Sequence, residues 1–236
     1  MIVRETSTSL LLITQPDHAI LARRLMEPWP ALAGARRRPS ILHAIQEHDN
    51  GWRDVDTSPS IDPRAGRILD FVSAPASLRQ GVWPRGVARL SDDPWAAALV
   101  AEHALTLYGR YRPDPGWTAF FTEMTLARDR HVRASGASQA ELRDDYVFLR
   151  VGDLASLTFC NAWTEEQGFD DYSVRLDGSD LVITPDPYGG HSVPFEVTAR
   201  ELPRRPFFSE DEARAAFDAA RTVTLSGEAV GRAPRT

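Results

Sequence analysis

The chain has 236 residues, 42% of them hydrophobic, with one cysteine and a formal net charge of −6. This composition is typical of a globular domain, and the negative charge disfavours nucleic acid and anionic membrane surfaces as partners. The lone Cys160 excludes an internal disulfide, and the apolar run at residues 10–13 is too short to cross a membrane. We therefore expect a cytoplasmic protein. The sequence does not predict its oligomeric state.

The N-terminal third of the chain predicts a hairpin, two helices and a long loop. A polar turn splits the apolar stretch at residues 1–14, which indicates a short β-hairpin. Helices are expected over residues 16–27 and 39–50, because each stretch opens with a proline and shows helical spacing of its apolar residues. Residues 52–84 are rich in Pro, Gly, Ser and Asp without periodicity, which predicts a long loop that serves as a lid or a wall of a site.

Four later helices are predicted from their start signals. Asp and Ser are favoured just before a helix because their side chains accept hydrogen bonds from the first-turn backbone N–H groups. A Glu three residues after such a Ser completes a capping box. The signals are Asp93 before Pro94, Asp114 before Pro115, Ser138 with Glu141, and Ser209 with Glu212.

The C-terminal part of the chain predicts β-strands. Apolar and polar residues alternate on both sides of a turn at Asp177 and Gly178, and they alternate again over residues 193–197. Alternation with period two is typical of strands with one buried face, so these stretches predict an antiparallel arrangement. Residues 222–225 predict a further returning strand.

These elements divide the chain into a helical part and a β part. Residues 15–165 are expected to form a core of about five helices, and residues 1–14 and 170–226 a small antiparallel β lobe. The predicted fold class is therefore α+β, with a mainly helical core and a small β lobe in a single domain spanning residues 1–236.

Four of the predicted helices carry a His or an Asp in an apolar stripe or at its end. His48 follows three apolar residues at the i, i+3, i+4, i+7 spacing, so it points into the core. His18, His103 and Asp153 take similar positions in three other helices, and Asp49 follows His48. Isolated buried charge is strongly penalised, so several ionisable groups that converge in one core need a partner. A metal ion is the simplest common partner.

The order of these residues resembles the HD-domain superfamily of metal-dependent phosphohydrolases, whose pattern is a His, a His-Asp pair, optional further His residues and a late Asp on a helical core. The matching segments are Gln15-Pro16-Asp17-His18, Glu47-His48-Asp49-Asn50-Gly51-Trp52, Glu102-His103 and Gly152-Asp153-Leu154-Ala155-Ser156-Leu157. More narrowly, residues 48–52 and 153–157 are similar to a bacterial family known as domain of unknown function 3891, which brings no activity with it.

The HD resemblance implies an HD-like helical core and a divalent transition metal: one or two ions of Fe, Mn, Zn or Ni. The implied ligands are His18, His48, Asp49, His103 and Asp153. The residue types agree with this set, because imidazole and carboxylate groups suit these metals. His103 has an alternative interpretation as an outer donor or a core histidine bonded to a backbone carbonyl.

The expected function is a metal-dependent phosphohydrolase acting on a small phosphorylated molecule or a nucleotide. Asp49 and His103 are the candidate catalytic residues, and Arg23, Arg24 and the arginines at 36–38 are candidate phosphate contacts. Two alternatives stay open. One is a non-haem (di)iron oxygenase on an HD-like scaffold, and the other is a non-catalytic ligand-binding or structural protein in which these residues form a buried polar network.

Overall fold

The computed structural model describes residues 1–233. Within them lie eight α-helices: α1 (Gln15–Met26), α2 (Pro30–Ala33), α3 (Arg38–Glu47), α4 (Ala76–Ala88), α5 (Pro94–Leu107), α6 (Thr118–Ala134), α7 (Gln139–Cys160) and α8 (Glu210–Asp218). The strands are β1 (Ile2–Glu5), β2 (Ser9–Ile13), β3 (Ile61–Asp62), β4 (Arg67–Ile68), β5 (Gln167–Phe169), β6 (Tyr172–Asp177), β7 (Asp180–Thr184), β8 (Ser192–Pro203) and β9 (Arg221–Gly231). Short 3-10 turns occupy Asn50–Trp52, Gly109–Tyr111 and Pro115–Trp117.

Seven of the strands form one sheet in the order β1-β2-β8-β9-β7-β6-β5, and the sheet curls into a half-barrel. Neighbouring strands are antiparallel except β7 and β9, which are parallel. The predicted mainly helical core with a small β lobe is therefore wrong. The large sheet arises because the long strand β8 pairs with both β2 and β9, so the N-terminal hairpin joins the C-terminal strands.

Strand β2 is buried on both of its faces, which explains its unbroken apolar run. Leu11 and Ile13 pack into the main core with the helices, whereas Leu10 and Leu12 pack into a second cluster with α8 and the β3–β4 pair. Successive side chains of a strand point to opposite faces, so a strand between two clusters needs apolar residues at every position. The sheet thus separates the helical layer that carries the candidate ligands from a smaller layer behind it.

Three of the four later helix starts predicted from capping residues are confirmed. Asp93 caps α5, Ser138 and Glu141 form the capping box of α7, and Ser209 caps α8. Asp114 caps the 3-10 turn that leads into α6. No helix among residues 1–233 is both long enough and apolar enough to cross a membrane.

The predicted long loop at residues 52–84 is wrong at its C-terminal end, because α4 begins at Ala76. The helix contains Gly81, Pro84 and Gly86, which all have low helix propensity. Packing stabilises it instead, since it buries apolar side chains such as Trp83 and lies against the 3-10 turn that follows His48 and Asp49. Tertiary contacts therefore override local preference in this segment.

Candidate metal centre

The structure brings all five predicted ligands together. They come from α1 (His18), from the end of α3 (His48 and Asp49), from α5 (His103) and from α7 (Asp153). Their exposed fractions lie between 0% and 7%. Two groups of three side chains offer donor atoms within 4.8 Å of one another: His18 with His48 and Asp49, and His48 with His103 and Asp153. His48 belongs to both groups, so the two groups form one centre.

The three imidazoles face the carboxylates with the same ring nitrogen, Nε2. His18 Nε2 lies 2.8 Å from Asp49 Oδ2, and His48 Nε2 lies 3.6 Å from that oxygen. His48 Nε2 is also 3.4 Å from Asp153 Oδ1, and His103 Nε2 is 3.6 Å from Asp153 Oδ2. The Nε2 atoms of His48 and His103 are buried and have no hydrogen-bond partner among the described residues.

The opposite nitrogen of each ring contacts an outer partner. His48 Nδ1 donates to the Ile45 carbonyl at 2.7 Å. His18 Nδ1 lies 3.0 Å from Ser156 Oγ, whose own proton goes to the Asp153 carbonyl, so this hydroxyl accepts from His18. His103 Nδ1 lies 3.1 Å from the Tyr146 hydroxyl. Such outer partners fix the tautomer and orientation of imidazoles that bind metals.

These hydrogen bonds test whether a metal fits the donor set. With Nδ1 donating, a neutral ring at either position would turn an Nε2 lone pair toward carboxylate oxygens. Lone pairs cannot face carboxylates at such distances unless a proton or another cation lies between them. A metal cation in either group of three would satisfy the donor atoms of that group, and an ion held by His48, His103 and Asp153 would give partners to the orphaned Nε2 atoms of both histidines. The residues present therefore fit a metal ion.

The electrostatics of the centre are those of a cation site. Burial lowers the pKa of His48, but Asp49 and Asp153 outweigh burial and raise that pKa to about 9. For His103 burial dominates and lowers the pKa to about 3. Burial opposes ionisation of both aspartates, yet the nearby histidines hold both pKa values below the ordinary range, and the Arg150 guanidinium adds to this effect at Asp153. Both carboxylates are therefore charged at neutral pH.

Two glycines permit the close packing around the centre. A Cβ at Gly51 would overlap the carbonyl oxygen of Val82 in α4. A Cβ at Gly152, the residue before Asp153, would lie 2.7 Å from Cγ of Met26 in α1, which is closer than real Cβ contacts. These contacts explain why glycine follows the His-Asp pair and why glycine precedes the late aspartate.

A cavity of about 130 Å³ opens onto the centre. Asp49 and Asp153 contribute to its lining, together with apolar and aromatic side chains. Gln15 also lines the cavity, and its buried Oε1 has no hydrogen-bond partner among the described residues. Tyr108 and two arginines, Arg79 and Arg110, add further polar groups to the lining. The centre is therefore accessible to a small molecule through a narrow cavity.

Gln15, Arg79 and Arg110 line the cavity but were not predicted as site residues. Gln15 had one usable signal, because it precedes His18 by three residues and so shares its helical face. The arginines that were expected to contact phosphate do not line the cavity. Arg23 bonds Gln46, for example, and Arg37 forms an ion pair with Glu141.

Comparison with known proteins gives one family. Residues 1–204 match the family described as "Protein of unknown function (DUF3891)". No curated protein and no solved structure matches the chain. Because the family match covers well over half of the chain and includes all five candidate ligands, the chain belongs to the DUF3891 family.

Proposed function

We propose that this protein is a metal-dependent phosphohydrolase that acts on a small phosphorylated molecule. The observation that carries the proposal is the convergence of three imidazole Nε2 atoms and two carboxylates beside a cavity. His18, His48, Asp49, His103 and Asp153 would hold the metal, and their nitrogen and oxygen donors suit Fe, Mn, Zn or Ni. When bound, such an ion polarises a phosphoryl oxygen and lowers the pKa of bound water.

The geometry favours one ion per chain. His48 is common to both groups of donors, and its Nδ1 already donates to the Ile45 carbonyl. Only Nε2 keeps a lone pair, and one imidazole nitrogen binds one ion. Once His48 binds an ion in one group, the other group keeps only two donors, which favours a single ion per chain.

The residues of the chain itself have distinct roles in this proposal. Asp49 contacts His18 and also lines the cavity, so it would hold the metal next to a molecule that enters. The lowered pKa of His103 keeps its ring neutral, so Nε2 keeps a lone pair that can bind a metal. Gln15 Oε1 is positioned to accept a hydrogen bond from water in the cavity. The aromatic walls exclude bulk water, which strengthens the electrostatic interactions inside.

The order of the ligands also supports placing the chain in the HD-domain superfamily. His18, the His48-Asp49 pair and Asp153 follow one another along the chain on helical elements, as in the superfamily pattern. The large half-barrel sheet is additional to that pattern. The proposed superfamily membership rests on the ligand order alone.

The test is hydrolysis by protein purified without chelator or nickel resin and loaded separately with Mn, Zn, Ni or Fe. Phosphomonoesters, cyclic nucleotides and nucleoside triphosphates form the substrate panel. Asp49→Ala should lower turnover about 100-fold or more, since even outer partners of a metal cost 10- to 100-fold. Asp144→Ala, which removes an exposed carboxylate of α7, should leave turnover unchanged.

Three results would contradict the proposal. Absence of turnover with every metal would remove its support, and oxygen consumption with iron would favour the oxygenase alternative. A failure to bind any metal would favour the non-catalytic buried network.

A further inference from the structure

Arg79 is a partly buried cation without a carboxylate partner. It lies on α4 and lines the cavity, and among the described residues it forms no ion pair, unlike Arg89 with Asp54 or Arg150 with Asp153. Its Nε is buried without a hydrogen bond. Arg110, the other arginine of the cavity, also forms no ion pair among those residues. The cavity therefore contains two guanidinium groups that form no ion pair with a described acidic side chain.

Aromatic rings hold the Arg79 guanidinium in place. Its Cζ lies 5.9, 5.5 and 5.6 Å from the ring centroids of Tyr108, Tyr111 and Trp117. Tyr111 and Trp117 stack on each other with an interplanar angle of 8°, and Arg79 Nη1 donates to the Tyr111 hydroxyl at 3.3 Å. Cation–π contacts fix the position of a guanidinium and leave its remaining N–H groups unpaired. A fixed guanidinium with unpaired N–H groups is suited to bind the oxygens of a phosphate.

The rest of the cavity wall is apolar. It is formed by Trp52, Phe71, Val72, Trp83, Leu107 and Leu157. Besides the charged residues, only Gln15, Tyr108 and the two tryptophan indoles carry polar side-chain atoms there, and Nε1 of Trp83 is buried. Sugar hydroxyls bound against such a wall would lose hydrogen bonds to water without replacing them, which is costly. The wall therefore favours an apolar organic group over a sugar.

Resting on the proposed function, we propose that the substrate is a compact phosphomonoester of an apolar alcohol, such as an aryl or short alkyl phosphate, and that Arg79 binds its phosphoryl oxygens. Hydrolysis forms a bond between the water oxygen and phosphorus and breaks the ester P–O bond. A proton from water passes to the leaving oxygen, so the products are the alcohol and inorganic phosphate. Sugar phosphates and nucleotides are poor substrates in this proposal because they present several hydroxyl groups to the apolar wall.

The first test measures binding of phenylphosphonate, which cannot be hydrolysed at an ester bond, to manganese-loaded protein by calorimetry. Arg79→Met should weaken binding about tenfold or more, the loss expected for one charge-assisted hydrogen bond. Arg79→Lys keeps the charge but not the planar guanidinium, so its affinity for phenylphosphonate should lie between those of the wild type and Arg79→Met. Arg85→Met is the matched control, because it removes an exposed arginine of the same helix that does not line the cavity. Circular dichroism checks that each variant is folded.

The second test compares kcat/KM for phenyl phosphate, glucose 6-phosphate and AMP. Phenyl phosphate should be preferred about tenfold or more, and Arg79→Met should reduce its kcat/KM by a similar factor. The inference would be overturned if Arg79→Met bound phenylphosphonate as tightly as the wild type, or if Arg79→Met and Arg85→Met lost equal affinity. It would also be overturned if the wild type did not bind phenylphosphonate, or if it preferred the sugar phosphates as substrates. Phenylphosphonate binding that depends on Arg79 without any turnover would instead contradict the hydrolase and support the recognition role. Turnover that does not change in Arg79→Met would support the hydrolase and contradict the recognition role of Arg79.

Discussion

Each inward histidine uses one ring nitrogen for a contact with the protein and turns the other toward the centre. The Nδ1 contacts to Ile45 and Ser156 leave the Nε2 lone pairs of His48 and His18 directed at carboxylates. This arrangement needs a cation in the middle, and protons and metal ions compete for that position. The residues of the centre are therefore best tested by metal affinity.

Asp153→Asn should weaken metal binding by at least about 10- to 100-fold. The substitution removes the negative charge that faces both His48 and His103, and it keeps the size of the side chain. Asp144→Asn, on an exposed position of the same helix, is the control and should bind metal as the wild type does. Competition against a chromogenic chelator gives both affinities. Equal affinities for the two variants would remove Asp153 from the ligand set.

The sequence reveals the ligands more readily than the residues around the cavity. Helical spacing alone determines which side chains share a face, so the inward direction of His18, His48 and Asp153 can be predicted from local pattern. Arg79 cannot be predicted in this way. Its position depends on the folding of α4, which the sequence does not predict because its glycines and proline lower helix propensity. It also depends on aromatic residues from other elements.

At the scale of elements, the contact between α4 and the turn after α3 shapes the wall of the cavity. Gly51 packs against the backbone of Val82, Asn50 Nδ2 donates to the Gly86 carbonyl at 3.3 Å, and Arg89 donates to the Asn50 carbonyl. The turn that carries the His-Asp pair is therefore fixed to the helix that carries Arg79.

Gly51→Ala should destabilise the fold by about 1–3 kcal/mol, because its Cβ would force the turn and α4 apart. Gly81→Ala is a matched control in α4, since a Cβ there meets no atom within 4 Å. That control should be neutral or should stabilise by about 0.5–1 kcal/mol through helix propensity. Urea unfolding measures both changes, and a Gly51→Ala protein as stable as the wild type would exclude this close contact.

The N-terminal cap of α7 gives a pH-dependent prediction. Arg37, together with the backbone and hydroxyl of Ser138, lowers the pKa of Glu141 from 4.5 to about 2. Because the pKa in the folded state lies below the unfolded value, the stabilisation is present above about pH 4.5 and is lost as pH falls through about 2. The melting-temperature difference between wild type and Glu141→Gln should therefore shrink between pH 5 and pH 3. Glu123→Gln, at an exposed position of α6, is the control. A melting-temperature difference between wild type and Glu141→Gln that grows on acidification would contradict the lowered pKa of Glu141.

The sheet shows why the overall architecture is harder to predict than its helices. Local alternation predicts the strands after α7, but not that Ser9 pairs with Pro203 at the far end of the chain. The sequence of β9 predicts a strand only weakly, because many of its residues are polar and partly exposed. Its pairing with β8 and β7 joins what the sequence predicts as a small lobe into a seven-stranded sheet.

For the whole molecule, metal binding should couple to folding, because four separate helical elements must be assembled before the ligands converge. Metal that binds only the native state adds about 2.7 kcal/mol when its free concentration is a hundredfold above Kd. Chelation should therefore lower the melting temperature of the metal-loaded wild type and leave His48→Ala unchanged. Calorimetric scans with and without chelator measure the effect. The same response in both proteins would show that the metal does not act through this centre.

The position of the ion itself is the most direct measurement. Anomalous diffraction from crystals grown with manganese or zinc should show one strong peak per chain within about 2.0–2.2 Å of ligand atoms from the His18, His48, Asp49, His103 and Asp153 set. In that structure the Nδ1 atom of His48 should still donate to the Ile45 carbonyl. A peak elsewhere, or the absence of a peak at saturating metal, would contradict the claim that these four helical elements assemble a single metal centre.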